Sequence, residues 1–446
     1  MEKIDQIFLI ILYVIFLCFI LFNICLKIKK DKQIKIKTFF EVYYLIIYGL
    51  TPVISIIFIN YNNTVNSFFY TRNVKYYYSL FFVTVIFYFI YHFFDRMQFS
   101  VGDMKNKCKE FKQIDTSSDR FFFVTILLSF IGLFSLILWT RAFGMPWDII
   151  KYANVIRSGR SPIYNKFTFV KPFCSFLTIA FYNNLIIAKK TRFKLLNFID
   201  LVLNFIFSII FLLANDSRMF ILIFFLCIVL LYKNKNINFN LKTVCTYVII
   251  AIFTLSILGG LDNFTYYLRN NKFSESESNS KFYEVIEEEF TYTYRNGINV
   301  LYFYDNYKLP SIHIFKDLKN IIFSWVPDRF KPDLEGLSEL NTSYYIGTTG
   351  AMPTDLITAS IYKFHLFGIF IMPLFMNFLL NSIENFFKKY NSEYMYMIYN
   401  LIGCSICLRF VGYYDLADNL FSAFYIIVST FIVCFFCTSK NSINNI

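Results

Sequence analysis

Residues 7–37 read IFLIILYVIFLCFILFNICLKIKKDKQIKIK, a run of mainly apolar positions followed by eleven positions that hold six lysines. About twenty such residues, wound as a helix, cover the roughly 30 Å hydrocarbon core of a bilayer. The lysines behind them hold that end in the cytoplasm, because basic residues in short loops stay there. The run is too long for the apolar part of a cleavable leader and ends in lysines instead of a small-residue cleavage site, so it reads as a first span. The same pattern recurs at 39–60, 78–95, 121–139, 167–188, 195–214, 219–232, 243–260, 355–380, 395–412 and 421–437. The seventh of these windows is short and the ninth has the look of a broken helix. The expected fold is an all-α polytopic membrane protein of about eleven (10–12) transmembrane helices.

Basic residues set the orientation. The stretches 27–37, 96–120, 189–194 and 233–242 carry six, six, four and three Lys or Arg in turn, so these alternate loops lie inside. The N-terminus, 61–77, 140–166, 215–218 and 261–354 then lie outside, and the C-terminus inside. Three parts follow: helices one to eight with a basic outer loop at 140–166 (residues 1–260), one large outer loop (261–354), and helices nine to eleven (355–446).

Composition agrees. The chain is 57% hydrophobic and 16% charged, against about 25% charged in ordinary soluble domains. Its net charge of +13 sorts by side of the membrane instead of forming one basic face, so nucleic acid is not an expected partner and membrane lipids are. The 59 Phe and 34 Tyr fit an AT-rich coding sequence as well as a physical demand, and single aromatics therefore carry little weight. Of ten cysteines only Cys108 lies outside an apolar run; no disulfide framework is implied. The CxxC pairs Cys404/Cys407 and Cys434/Cys437 sit in expected spans without polar ligands near them, which argues against a metal site. No P-loop, GxGxxG or HExxH pattern is present, and neither metal nor cofactor is expected. Residues 273–280 form a small polar tract on the outer loop. Beyond it, 283–304 has helical spacing, with Glu284, Glu287 and Glu288 on one side and Phe290, Tyr294, Val300 and Leu301 for packing. It reads as an amphipathic helix at the outer membrane surface.

The residues with chemical potential lie on the outer side. Asn215-Asp216-Ser217-Arg218 is a polar turn between two apolar runs, and an Arg held there can bind phosphate bidentately or reach lipid headgroups. In the 140–166 loop, Arg157 and Arg160 flank a Gly and precede Pro162, a compact arrangement suited to anions. Lys151 and Lys166 lie in the same loop. The segment Trp325-Val-Pro327-Asp-Arg329-Phe-Lys331-Pro332 presents cations on a rigid backbone, and residues 342–353 (TSYYIGTTGAMP) form a loop suited to close approach. Lys363 and His365 follow in the ninth span, where a buried Lys costs about 2.5–3.5 kcal/mol. That cost argues for a cavity in its outer half, or for 353–364 as an interfacial helix ahead of the true span. Arg409 ends the tenth helix, and Glu41 and Lys171 are further charges within or near spans.

Ser217-Arg218, the element Pro327-Asp-Arg329-Phe-Lys331-Pro332, and Pro353 through Tyr362-Lys-Phe-His-Leu-Phe-Gly368, set around one large outer loop, resemble the O-antigen polymerases, also called oligosaccharide repeat-unit polymerases. The resemblance spans most of the chain and rests on architecture more than on motifs. It implies an enzyme of the bacterial inner membrane that joins undecaprenyl-pyrophosphate-linked oligosaccharide units on the outer face, with a chain-length regulator protein as a partner. Paired Arg-x10-Gly elements of some members have no counterpart after Arg141, Arg157, Arg160, Arg295 or Arg329, so their two-loop division of donor and acceptor does not carry over.

The chemistry points the same way. No nucleotide pool exists outside the cytoplasm, so glycosyl transfer there needs a donor that is already activated, such as a lipid pyrophosphate. Charge builds on the departing pyrophosphate, and fixed guanidinium groups can stabilise it without a metal. Arg218 and Arg329 are the expected pyrophosphate ligands, with Arg157, Arg160, Arg295, Lys331 and Arg409 behind them. His365, Asp355 and Asp216 are the candidate bases, and Trp325, Tyr344 and Tyr345 are suited to stacking on sugars. A lipid-linked oligosaccharide flippase would instead show paired halves and charges along several helices. An O-antigen ligase would share the architecture. A membrane acyltransferase would need a His motif that is absent.

Overall fold

The computed structural model describes residues 3–31, 35–58, 73–97, 113–152, 167–190, 195–214, 218–232, 278–306, 319, 337, 341, 354–387, 392–412, 414 and 416–439. Almost all of them are helical. Helix α1 (Lys3–Asp31) is followed by α2 (Ile36–Tyr44), a π-helical turn (Leu45–Leu50) and α3 (Thr51–Phe58), which run as one rod. Then come α4 (Val74–Arg96), strand β1 (Gln113–Ile114), α5 (Asp119–Thr140), 3-10 turns at Asp148–Tyr152 and Thr168–Ser175, α6 (Phe176–Lys190), α7 (Leu195–Ala214) and α8 (Arg218–Tyr232). The remaining elements are α9 (Ser278–Asn306), α10 (Leu356–Phe364), a 3-10 turn (His365–Phe367), α11 (Gly368–Phe387), α12 (Glu393–Gly412), α13 (Leu416–Cys437) and β2 (Thr438–Ser439).

Among the described residues eight helices are long and apolar enough to cross a membrane: Lys3–Lys29, Ile36–Ile57, Val74–Arg96, Asp119–Thr140, Thr168–Lys189, Leu195–Ala214, Leu356–Phe387 and Glu393–Gly412. The chain is a multi-pass, helical membrane protein. The seventh expected span is present as α8, at 15 residues too short for that group, and the eleventh as α13, with a shorter apolar stretch at Ala423–Cys437. The eighth, 243–260, lies outside the described residues.

Polar caps begin several helices. Asn73 accepts from Lys75 N (3.1 Å), Ser118 from Phe121 N (3.3 Å) and Ser392 from Met395 N (3.2 Å), as orphan N–H groups at helix starts demand. Pro52 explains the π turn. A proline inside a helix removes one N–H and pushes on the carbonyl four residues back. Here the backbone widens just ahead of it, and Thr51 Oγ1 donates to Ile46 O at 2.9 Å, re-satisfying a carbonyl in the widened turn.

Charges close one end of the bundle. Lys27 at the end of α1 bridges Glu41 of α2 and Asp95 of α4 (3.2 Å to Asp95), while Lys37 pairs with the other oxygen of Asp95. Glu41 is fully buried and this span charge is paired with Lys27, so the ends of α1, α2 and α4 are gathered at one level. Lys171 likewise lies over the Trp139 ring, 5.3 Å from its centre. The two-residue strands pair antiparallel, Gln113 with Ser439 and Ile114 with Thr438, which sets the end of α13 beside the start of α5. Placing 96–120 and the C-terminus on one side is compatible with that neighbourhood.

One element departs from the expectation, and the expected break in another is sharper than foreseen. Over 292–300 helix α9 does not lie on a surface: these residues are buried without interruption, and the helix packs on α3, α4 and α10. An amphipathic helix at an interface keeps one face exposed; this stretch is wrapped on all sides. The close fit depends on Gly297, where an added Cβ would lie 2.7 Å from Leu80 Cδ1 of α4. The ninth span is broken, and more sharply than by a kink. Residues 360 and 368 of an unbroken helix are about 12 Å apart, whereas a Cβ on Gly368 would stand 2.1 Å from the Ser360 carbonyl oxygen. The chain therefore turns back at His365–Phe367, and α10 packs against α11.

Candidate functional site

The start of α10 is the most densely bonded polar position among the described residues. Asp355 caps the helix in extended conformation (φ −84°, ψ 170°) and is buried. Its Oδ1 accepts from Ile357 N and Thr358 N, each at 3.0 Å, and from Tyr48 OH at 2.6 Å; its Oδ2 accepts from Thr358 Oγ1. Tyr48 belongs to the π turn, and its hydroxyl also receives Ile357 N at 3.0 Å and stands 3.4 Å from Val411 O. The widened backbone caused by Pro52 thus carries the side chain that holds the cap.

Neighbouring elements close on the same corner. Thr354 and Tyr414 exchange two bonds, Tyr414 N to Thr354 O (2.6 Å) and Thr354 Oγ1 to Tyr414 O (2.9 Å). Tyr292 OH of α9 donates to Gly412 O at 2.9 Å, one residue from the Val411 carbonyl beside Tyr48. Tyr362 OH donates to Asn341 Oδ1 at 2.9 Å. Arg295, Asn296 and Asn299 are buried and share one face of α9 with Tyr292 by their spacing. Arg409 lies partly buried in the last turn of α12 and within electrostatic reach of Tyr425 on α13. Asp355, Arg295 and Arg409 therefore sit on the start of α10, the middle of α9 and the last turn of α12, three elements joined at this corner by the Tyr292–Gly412 and Thr354–Tyr414 bonds.

His365 is elsewhere. It follows the last residue of α10, about 15 Å of helical rise from Asp355, is exposed, and its ring centre lies 5.8 Å from that of Tyr304. Its backbone, φ 54° and ψ −147°, occupies a region that glycine enters freely and other residues enter under strain. Lys363 lies 4.5 Å from the centre of the Tyr414 ring. The expected desolvation cost of Lys363 and His365 is thus relieved by the turn, since neither is inside a continuous span. Helix α10 is a separate short helix ahead of α11, as one of the two expectations for 353–364 had it, and Leu356 to Tyr362 are all buried.

Asp216, Arg157, Arg160, Lys166, Arg329, Lys331, Trp325, Tyr344 and Tyr345 lie outside the described residues, and Arg218 is described only as the first residue of α8. In the first part of the 140–166 loop, Arg141 is exposed at the end of α5. Asp148 there accepts from Met145 N (3.1 Å) and Lys151 Nζ (3.1 Å). Those two donors hold its carboxyl below the usual carboxylate range, Lys151 more than Met145. Cys404 and Cys407 are buried free thiols on α12, Cys404 beside Cys227 of α8.

Tyr48 escaped the sequence reading, as did the role of Asp355 as a cap. A signal for the first existed in Gly49-Leu50-Thr51-Pro52, a proline set in the middle of an apolar run. Comparison with family models, with curated proteins and with solved structures finds no match to this chain.

Proposed function

We propose that the protein is a polysaccharide polymerase of the O-antigen polymerase type, which joins undecaprenyl-pyrophosphate-linked oligosaccharide units on the outer face of the bacterial inner membrane. The orientation proposed with it has eleven spans, the N-terminus outside and the C-terminus inside. The observation that carries the reading is Arg295: a guanidinium supplied by the long polar segment between spans and buried, with Asn296 and Asn299, on a helix inside the bundle. A fixed buried cation with amide donors beside it is what a departing pyrophosphate needs. In this reading Arg295 joins Arg218 and Arg329 as pyrophosphate ligands, with Arg157, Arg160, Lys331 and Arg409 around them. Asp355 serves as the brace that fixes α10, and the base is His365 or Asp216.

The break at His365–Phe367 favours a second reading, since transporters build substrate sites from discontinuous helices. Purified protein in liposomes with a lipid-linked repeat unit separates the two: a polymerase lengthens the saccharide, whereas a flippase moves it unchanged. In a host whose surface polysaccharide depends on this gene, Arg218→Ala, Arg295→Ala and Arg329→Ala should each shorten or abolish the polysaccharide ladder. Full-length ladders from all three variants at normal protein levels would sink the pyrophosphate assignment.

A further inference from the structure

We propose that the groove between the start of α5 and the end of α13 binds a phospholipid whose headgroup carries both a phosphate and a primary ammonium, the phosphate on Arg120 and the ammonium on Asp119. The proposal is independent of the polymerase reading. The groove has a volume of about 460 Å³ and is lined by Asp119, Arg120, Phe123 and Val124 of α5 and by Phe435 and Phe436 of α13. That volume lies in the range of small-molecule sites. The two helix ends are tied together: the strands beside them pair Gln113 with Ser439, and Asp115 N donates to Cys437 O at 3.4 Å. The groove therefore opens where one apolar helix begins and another ends, which is the level of lipid headgroups.

Its walls continue as apolar faces. From Phe123 the same face of α5 runs on through Phe130, and from Phe435 the same face of α13 runs on through Phe431 and Ile427. All of these side chains are exposed, and Phe431 and Phe435 stack with ring centres 6.4 Å apart. An acyl chain laid between the two faces leads to the charged end. There Asp119 and Arg120 are both exposed, and no ion pair joins either to another described residue. A guanidinium takes a phosphate through paired N–H groups, and a carboxylate, which only accepts, takes an ammonium. Arg120 also stands in the first turn of α5, against the positive end of the helix dipole, where an anion beside it relieves the repulsion. One cation and one anion in a single groove fit a ligand with one of each. A choline headgroup has no N–H to give Asp119, and an anionic phospholipid leaves that carboxylate unanswered.

The full-length protein purified in mild detergent provides the test, by native mass spectrometry with phosphatidylethanolamine, phosphatidylcholine and phosphatidylglycerol of identical acyl chains. One phosphatidylethanolamine should be held about tenfold more tightly than either of the others, and Arg120→Ala should weaken it roughly tenfold, as loss of a charged hydrogen bond does. Asp119→Asn should keep the phosphate contact and erase the preference over phosphatidylcholine, a change in selectivity that a merely structural effect would not produce. Should Arg120→Ala fail to fold, Asp119→Asn decides alone. Equal retention of the three lipids by the natural chain would overturn the proposal. A preference for phosphatidylglycerol would give the groove to anionic lipids and overturn it too, as would a phosphatidylethanolamine preference that Asp119→Asn leaves unchanged.

Discussion

At the residue scale, Asp355 and His365 bound the same nine-residue helix and answer to different physics. Asp355 Oδ1 takes three donors and Oδ2 one, bonds that hold the start of α10, whereas a group that takes a proton from a sugar hydroxyl must turn a lone pair to it. Asp355→Asn keeps a good cap and should keep the ladder, whereas Asp355→Ala should lower stability by about 1–2 kcal/mol and lose product through unfolding. Melting temperature and ladder length, measured on the same variants, distinguish this from a base, for which Asn would be as inactive as Ala. Tyr48→Phe removes a hydroxyl that serves both Asp355 and Ile357 N and should destabilise by about 1–3 kcal/mol. At His365 the strained backbone makes a prediction of the opposite sign. His365→Gly should raise the melting temperature, by an amount reflecting about 1–3 kcal/mol, and His365→Ala should not. If His365 is the base, both variants lose polymer. Asp148 is the one group whose titration is simple to follow. Its carboxyl is held low in the folded chain, so its contribution is present above the ordinary Asp range and is lost only as pH falls through the lowered folded value. Hydrogen exchange at Met145 N–H should therefore stay protected at pH 5 and open in stronger acid.

Elements divide into those that hydropathy reveals and those that packing decides. Spans such as Lys3–Lys29 and Asp119–Thr140 were legible because apolar length alone defines them. Helix α9 was legible as a helix but not in its position, since the polar residues Arg295, Asn296 and Asn299 give no sign in the sequence that the bundle closes around them. Pattern reports the average polarity of a face, and a buried polar face looks like an exposed one. Helices α10 and α11 fell within one window whose break was foreseen but whose reversal was not: both are apolar, and the turn between them is marked only by His365 and Gly368. Gly368→Ala should disrupt that turn, because its Cβ would meet a backbone carbonyl that cannot move aside. A fall in melting temperature beyond that of Gly144→Ala, at an exposed turn, would show it.

For the whole molecule, the charged cluster of Lys27, Lys37, Glu41 and Asp95 does what no single span can, fixing the relative height of three helices. Breaking a buried ion pair by removing one partner strands the other charge and costs about 3–5 kcal/mol. Glu41→Gln and Lys27→Met should each destabilise strongly, and the double variant by much less than their sum. The alternation of basic loops made the overall threading legible, because sidedness is written in local composition. The meeting of the π turn with α9, α10 and α12 was not, since it joins residues as far apart as Tyr48 and Asp355, 307 positions along the chain. Single cysteines at Ser117 and Asp148 check the threading: an impermeant thiol reagent added to intact cells should label the second and spare the first.

The reversal at His365–Phe367 also bears on how the protein is made. Nine residues of α10 rise about 13 Å, under half of the hydrocarbon thickness, so the insertion machinery has no transmembrane segment to release there. Helix α11 can enter the bilayer during synthesis, but the corner at α10 gains the Tyr48–Val411 and Thr354–Tyr414 bonds only once α12 and the residues just after it are made. A chain stalled before α12 would carry its earlier helices and still lack these bonds.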